Sequence, residues 1–583
     1  MPTPATGSTI KFTDVTTEFT LSVNPPSRAI GADFRFAGGA YTPASPAIPT
    51  GATATISLSG DLGGRTKVSA GNSGIPLWIA TMNFGVAQQG SVCCVDPSEN
   101  IYVGGALTIT TATAYNAGTT TGTNSTYVAT TLGGAAIAKY NSSGIVQWVT
   151  EIDGAGNDQF GFCTFTNNLY VCGRAGTSWP TAYNAGSSTV GQTISGTGAF
   201  GATIGFYIAK YNSSGIAQYM IGYGCSNGTG TFSHTIDTDP SENIYFAGRA
   251  GGPGQSVWAF GPGGPGGGPG GGTNINYPTP GTSTGINCVV IKWNASGTPL
   301  WMAMIRSNGA GYGTGVAWNS AANQLGVTAN SGGSIQAIAY NANQNPTSTG
   351  ITCTKASSAS STLVTAYNTS GTVLWTTIVD GTLTSDVKAC GFLTSDSSGN
   401  WYVCGTTVSG VAPTAYSAGT TTGTVAALTP LLTGAWLVKF NSSGAVQWIT
   451  MVDSPASVNN FGMSVKADSG GNVYFTTFCN SGQRTVSAYN AGSSTPALTS
   501  RVPSGCPWTV WKYNSSGIVQ NVIVAYNGAN YNSQVGNNAI INSSLYSTFT
   551  GTAGAIVWTV YGSDNATTIS SANTGTGVLV KFT

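Results

Sequence analysis

The sequence predicts an all-β fold, a seven-bladed β-propeller of four-stranded blades, on three observations. One hairpin phrase recurs seven times, a second hairpin turn falls between successive phrases, and the last strand lacks a partner that the first one supplies. The phrase is an apolar strand ending in Lys-aromatic, then Asn-x-Ser-Gly, then a strand that reaches a Trp. Its copies are Lys139-Tyr140-Asn141-Ser142-Ser143-Gly144 with Trp148, Lys210-Tyr211-Asn212-Ser213-Ser214-Gly215 with Tyr219, and Lys292-Trp293-Asn294-Ala295-Ser296-Gly297 with Trp301. They continue as Ala366-Tyr367-Asn368-Thr369-Ser370-Gly371 with Trp375, Lys439-Phe440-Asn441-Ser442-Ser443-Gly444 with Trp448, and Lys512-Tyr513-Asn514-Ser515-Ser516-Gly517 with Asn521. A degenerate copy, Asn72-Ser73-Gly74 with Trp78, opens the series. The tetrad is hairpin chemistry, because Asn folds back on its own backbone and Gly supplies a positive φ.

The second hairpin turns at 96–100, 239–243, 396–400 and 468–472, each opening with Asp and closing with Asn, and Ile101-Tyr102-Val103, Ile244-Tyr245-Phe246, Trp401-Tyr402-Val403 and Val473-Tyr474-Phe475 follow. Each repeat therefore carries four strands. The period of about 70 to 80 residues exceeds the roughly 40 to 50 of an ordinary blade. The excess is an insert between the second and third strands.

Gly577 to Phe582 reads as a third strand with no fourth after it, and the missing strand is the first one in the chain, Ile75 to Met82. Ends that complete one blade between them close a ring, whereas a linear solenoid needs polar caps.

Over residues 66–583 these units resemble the β-propeller repeat family reading asp-x-x-gly-asn-x-tyr-val-x-gly, then lys-tyr-asn-x-x-gly-x-x-x-trp. Two blades depart from it. Ala366 replaces Lys and Asn323-Gln324-Leu325 opens a second strand poorly in the fourth, and Ser544-Leu545-Tyr546 is only approximate in the seventh.

Composition narrows the function classes. Charged residues make up 6% of the chain and the net charge is +1, so no basic field exists to hold a nucleic acid. Apolar runs are only a few residues long, which excludes insertion into a membrane as a helix. Met1 to Phe12 lacks the basic and apolar regions of a secretory signal, so export by that route is not expected. Eleven cysteines fall within strands; Cys163 with Cys172, and Cys390 with Cys404, read either as buried thiols or as cross-strand disulfides. The chain has a single histidine, His234, read as a core residue, and 18 Asp plus Glu. No metal-ligand spacing, phosphate loop or nucleophile elbow accompanies them. The expectation is a protein that is not an enzyme and uses no cofactor and no metal.

With strands counted from axis to rim, the turns between first and second and between third and fourth strands share one face. The long inserts leave from the other. They repeat Ala-Tyr-Asn-Ala-Gly, with Tyr115 and Asn116, Tyr183 and Asn184, Tyr340, Tyr416, and Tyr489 and Asn490; the insert of blade 3 offers Trp258 before the Gly/Pro tract 261–272. One reading makes these residues a binding crown for a glycan or a protein surface. The other makes each Tyr an anchor that pins its own loop to the blade edge. The six Asn-x-Ser sequons are explained by turn chemistry.

Residues 1–65, a small β or extended segment, lie outside the repeat. Gly7 to Phe19 with its Ile10-Lys11-Phe12-Thr13-Asp14, and Ala54 to Gly64 with its Ile56-Ser57-Leu58-Ser59, resemble the short N-terminal module on structural proteins of tailed phages and large DNA viruses. The resemblance implies a virion structural or surface protein in the capsid or fibre, present in multiple copies. It would contact other virion proteins through residues 1–65 and a host glycan or receptor at its exposed face. The alternative is a bacterial cell-surface or secreted adhesin. The strand beginning near Ile75 starts on the face opposite the inserts, so the anchor is expected to hold the ring with its inserts outward.

Overall fold

The computed structural model describes residues 35–36, 39–40 and, between 74 and 582, the strands with their tight hairpin turns, but not the longer connections such as 85–91, 129–133, 154–158, 195–204, 226–234, 263–273 and 527–535. Seven six-stranded antiparallel sheets form the ring, and no helix occurs among the described residues. Blade 1 runs from axis to rim as Val92–Val95, Ile101–Ala106, Ala135–Tyr140, Val146–Asp153, Thr181–Tyr183 and Val190–Thr193. Each innermost strand lies against the next, and Gly536–Ile541 of blade 7 returns to Val92–Val95 of blade 1. Closure is by strand exchange. Pro76–Asn83 fills the fourth place of blade 7 beside Gly577–Phe582, with Ala80 opposite Leu579 and Met82 opposite Gly577. The two departing second strands, Gln324–Ser331 and Ser544–Thr550, form regular pairs.

The expected four strands are the inner part of each blade, and the rim corrects the count to six. The fifth and sixth strands belong by sequence to the following blade. Thr181–Tyr183 and Val190–Thr193, on the edge of blade 1, lie within the insert of blade 2. In the same way Thr111–Ala114 and Tyr127–Val128, from the insert of blade 1, extend blade 7 next to Pro76–Asn83. An added hairpin covers a sheet edge that would otherwise expose unpaired backbone groups. Because its two ends remain in the next blade, it also ties neighbours together.

The orientation expected for the inserts is corrected by the same hairpins. The hairpins leave from the face expected, cross the rim and turn on the opposite face, five of them with the Ala-Tyr-Asn-Ala-Gly turn or a near copy of it. Ala117, Ala185, Ala342, Ala418 and Ala491 there donate their N–H groups to the carbonyls of Gly144, Gly215, Gly371, Gly444 and Gly517 at 2.7–2.9 Å. Pro76–Asn83 begins on this face too, with Gly118 N–H donating to the Ile79 carbonyl at 3.3 Å. The chain therefore enters the ring on the side that carries the tyrosine turns.

A second joint repeats at six of the seven seams among the described residues. The carbonyl after the Asn of each tetrad accepts bonds from the preceding blade: Ser213 O from Lys139 Nζ at 2.8 Å and Trp148 Nε1 at 3.2 Å, Thr369 O from Lys292 Nζ and Trp301 Nε1, Ser515 O from Lys439 Nζ and Trp448 Nε1. At the closing seam Ser142 O accepts from Lys581 Nζ and Trp78 Nε1. Glycine is required in this turn. Gly444 holds φ at +79°, and a Cβ there would stand 2.7 Å from Trp375 Cδ2 and 2.8 Å from Ala418 Cβ.

Blade 4 breaks the pattern coherently. Ala366 stands where the Lys is expected and Gly326 where the Tyr is, and Trp401 of blade 5 occupies the space, its ring 2.5 Å from where a Gly326 Cβ would be. Trp401 is fully buried.

Candidate functional site

The candidate binding residues are positioned by the borrowed hairpins. Tyr183, Tyr340 and Tyr416 are 9%, 2% and 8% exposed, while Tyr115 and Tyr489 are half-buried. Burial, followed by the charge of a nearby Asp, pushes the Tyr416 and Tyr489 hydroxyls up from their ordinary range. The tyrosine backbone is engaged as well: Thr150 Oγ1 donates to the Tyr183 carbonyl, Thr377 Oγ1 to that of Tyr416, and Thr450 Oγ1 to that of Tyr489.

The amide side chains serve the same joint. Asn116 Oδ1 accepts Val146 N–H at 2.9 Å, Asn184 Oδ1 accepts Ala217 N–H at 3.0 Å, and Asn490 Oδ1 accepts Val519 N–H at 3.0 Å. Asn341 and Ser417 do likewise for Val373 and Val446. Trp258 is half-buried on the fifth strand of blade 2, opposite Gly224 and Asn276. These residues lie in separate blades, and the structure does not gather them into one pocket. Their repetition has a geometric cause: Ala packs under the tetrad Gly, Asn receives a strand N–H, and the Tyr carbonyl receives a Thr hydroxyl.

A charged cluster also recurs, inside the joints. Asp96 Oδ1 accepts Ser98 and Asn100 N–H at 2.9 and 2.8 Å, and its Oδ2 accepts Asn100 Nδ2 at 2.8 Å and the Tyr102 hydroxyl at 3.1 Å. Lys139 Nζ lies 5.3 Å from the Tyr102 ring centre. Asp239, Asp396 and Asp468 hold Tyr245, Tyr402 and Tyr474 in the same way, under Lys292, Lys439 and Lys512. Burial, then the Asp charge, pushes the Tyr102 hydroxyl far up; burial lowers Lys139 against the pull of Asp96. Lysine over a phenol ring that is itself held by a carboxylate is a stabilising arrangement where water is excluded. Every partner within it is spoken for.

Two turns carry a glutamate where Gly399 and Gly471 stand in others. Glu99 and Glu242 both sit at φ 59° and reach a lysine of the preceding blade, Glu99 to Lys581 at 3.1 Å and Glu242 to Lys210 at 2.9 Å. The strained backbone is thus matched by an ion pair across the seam.

At the axis Asp237 of blade 3 accepts from Thr164 Oγ1 of blade 2 at 3.0 Å and from Trp318 N–H of blade 4 at 2.8 Å. Burial raises its pKa, opposed most by Lys466. His234 lies outside the described residues, as does the tract 263–272. Cys172 and Cys404 are buried thiols, and the register sets Cys163 opposite Val171, not Cys172. Among the described residues no three His, Cys, Asp or Glu side chains gather as metal ligands.

Sequence reasoning passed over Glu151 on the fourth strand of blade 1. It is 0% exposed, and among the described residues neither carboxyl oxygen has a hydrogen-bond partner. Burial, then the charge of Asp153, pushes its pKa up to about 8. Aligning the repeats on their Trp would have found it, because the position is otherwise apolar or small.

No family model and no curated protein matches this chain. Among solved structures it is similar to a polysaccharide lyase, an ulvan lyase bound to -[GlcA(1-4)Rha3S]-, at 11% identity and a TM-score of 0.30, over 87% of this chain and 96% of that one. That similarity stands against the expectation that the protein is not an enzyme. At this TM-score it assigns no residue and no reaction here.

Proposed function

We propose that the protein is a structural component of a virus particle, a rigid ring displayed at the surface and tethered to other virion proteins through residues 1–65. The observation that supports this reading best is where the scarce charge goes. Charged residues are 6% of the chain, and six of the seven repeats place a lysine in a joint between blades. Such an allocation serves rigidity. The sequence motifs in residues 1–65, which lie outside the described residues except for the Arg35–Phe36 and Gly39–Ala40 pair, supply the tether. Attachment to a host glycan or receptor would rest on many copies acting together, since repeated weak contacts gain affinity through effective concentration.

Mass spectrometry of purified particles tests the reading. The full chain should be present in many copies per particle, and a chain lacking residues 1–65 should fold but fail to incorporate. Incorporation of the truncated chain at the normal level would refute the tether, and absence of the full chain from particles would refute the assignment.

A further inference from the structure

The carboxyl of Glu151 occupies a site that the repeat reserves for other chemistry. Three residues past the Trp position the remaining blades carry Gly222, Met304, Ile378, Met451, Val524 and Thr81. Burial is therefore a property of the repeat, and the acid is peculiar to blade 1.

Strand alternation gives its direction. Trp148 turns toward blade 2, where it reaches Ser213 O. Val149 turns the other way and packs with Met82, Ala112 and Ala114, the last two on the hairpin that blade 1 lends to blade 7. Glu151 shares the side of Val149. Gly134, where the insert rejoins the third strand, leaves room for it: a Cβ there would stand 3.1 Å from Glu151 Oε1 and 2.7 Å from the Ile152 carbonyl oxygen.

We propose that Glu151 is a proton-dependent lock on the closing seam: with its proton it packs as a neutral side chain, and without it the borrowed hairpin Thr111–Ala114 and Tyr127–Val128 loosens from blade 7. An uncompensated charge cannot stay in such a site, so ionisation and opening are coupled. Among the described residues few ionisable groups surround it. Asp153 lies on its own strand, Tyr183 follows the Ala182–Ile152 pair on the fifth strand, and Tyr127 belongs to the sixth strand of blade 7. The facing stretches Ala135 to Ile137, Met82 to Asn83 and Thr111 to Ala114 contain none. The charge of Asp153 opposes that on Glu151 and reinforces the lock.

The sign is fixed by linkage. The closed seam holds the proton up to about pH 8, whereas an open one releases it near the ordinary carboxyl value, so opening grows as pH rises between the two and levels off above.

Hydrogen exchange over residues 111–119, corrected for intrinsic rates, reads this directly. Between about pH 5 and pH 8 protection in the wild type should fall by up to about 1,000-fold, near tenfold per unit. Glu151→Gln and Glu151→Met should show no such slope, Met being the residue of blades 3 and 5. A flat wild-type profile, or the same slope in either variant, would overturn the proposal. Infrared spectroscopy of the wild type alone guards against a variant that does not fold: the carbonyl stretch of a neutral buried carboxylic acid should persist at neutral pH, and its absence would equally overturn the proposal.

Discussion

Replacing Gly444 with alanine probes the joint between blades 4 and 5 at its tightest point. The backbone there is at φ +79°, and the new Cβ would meet Trp375 Cδ2 at 2.7 Å, Trp375 Cε3 at 2.8 Å and Ala418 Cβ at 2.8 Å. A left-handed residue with a Cβ costs about 1–2 kcal/mol. Overpacking a closed site costs about 1–3 kcal/mol more, because Trp375 is also held by its bond to Ser442 O at 2.9 Å. The sum is about 2–5 kcal/mol. Gly419→Ala is the matched control: φ is +76° but nothing lies within 4 Å of the added Cβ, so only the backbone part, about 1–2 kcal/mol, applies. Both variants share the same change in unfolded-state entropy. Urea denaturation followed by tryptophan fluorescence should therefore rank Gly444→Ala below Gly419→Ala by about 1–3 kcal/mol. Equal losses would refute the claim that the tetrad glycines exist to admit the Trp of the preceding blade.

Other outcomes follow from the same geometry. Trp401→Ala should cost about 3–5 kcal/mol through the cavity it leaves, and adding Gly326→Ala should recover part of that, measured by denaturation of the single and double variants. Lys139→Met should cost about 1–3 kcal/mol by removing the bond to Ser213 O and the contact with Tyr102. Asn116→Ala should lower the denaturation midpoint by about 1 kcal/mol of stability, because it deprives Val146 N–H of its acceptor. Burial raises the Glu242 carboxyl, but its bonds from Lys210 and Asn168 prevail and hold it below the ordinary value. Its contribution is then present above the ordinary carboxyl pKa and lost as pH falls through the depressed one. Glu242→Gln should flatten that acid limb of the stability profile.

The inner ring was legible because its signals are local. The tetrads, the Asp-to-Asn turns and the unpaired Gly577 to Phe582 each specify a hairpin or a missing partner from adjacent residues, and the register repeats often enough to expose Ala366 and Asn323 as departures. The rim was not legible, since its strands are as short as the two residues Thr414–Ala415 and Val425–Ala426. Alternation over two residues carries no signal. Taking the inserts for loops also misplaced them: a hairpin that runs the depth of the blade brings its turn to the far face, and Asn116 and Asn184 then meet backbone N–H groups where solvent was expected. Glu151 escaped notice because a lone acid in a strand gives no motif; only its place in the repeat marks it.

The central claim is that the ring is closed by Pro76–Asn83 against Gly577–Phe582, and a cross-link tests it most directly. With Ala80→Cys and Leu579→Cys installed at partnered positions, oxidation should give a monomer whose two ends are joined, so that one proteolytic cut in the ring leaves a single species until reductant is added. The single variants should give no such product. Failure of the pair to link within one chain, or linkage only between chains, would contradict closure of the ring by its own ends.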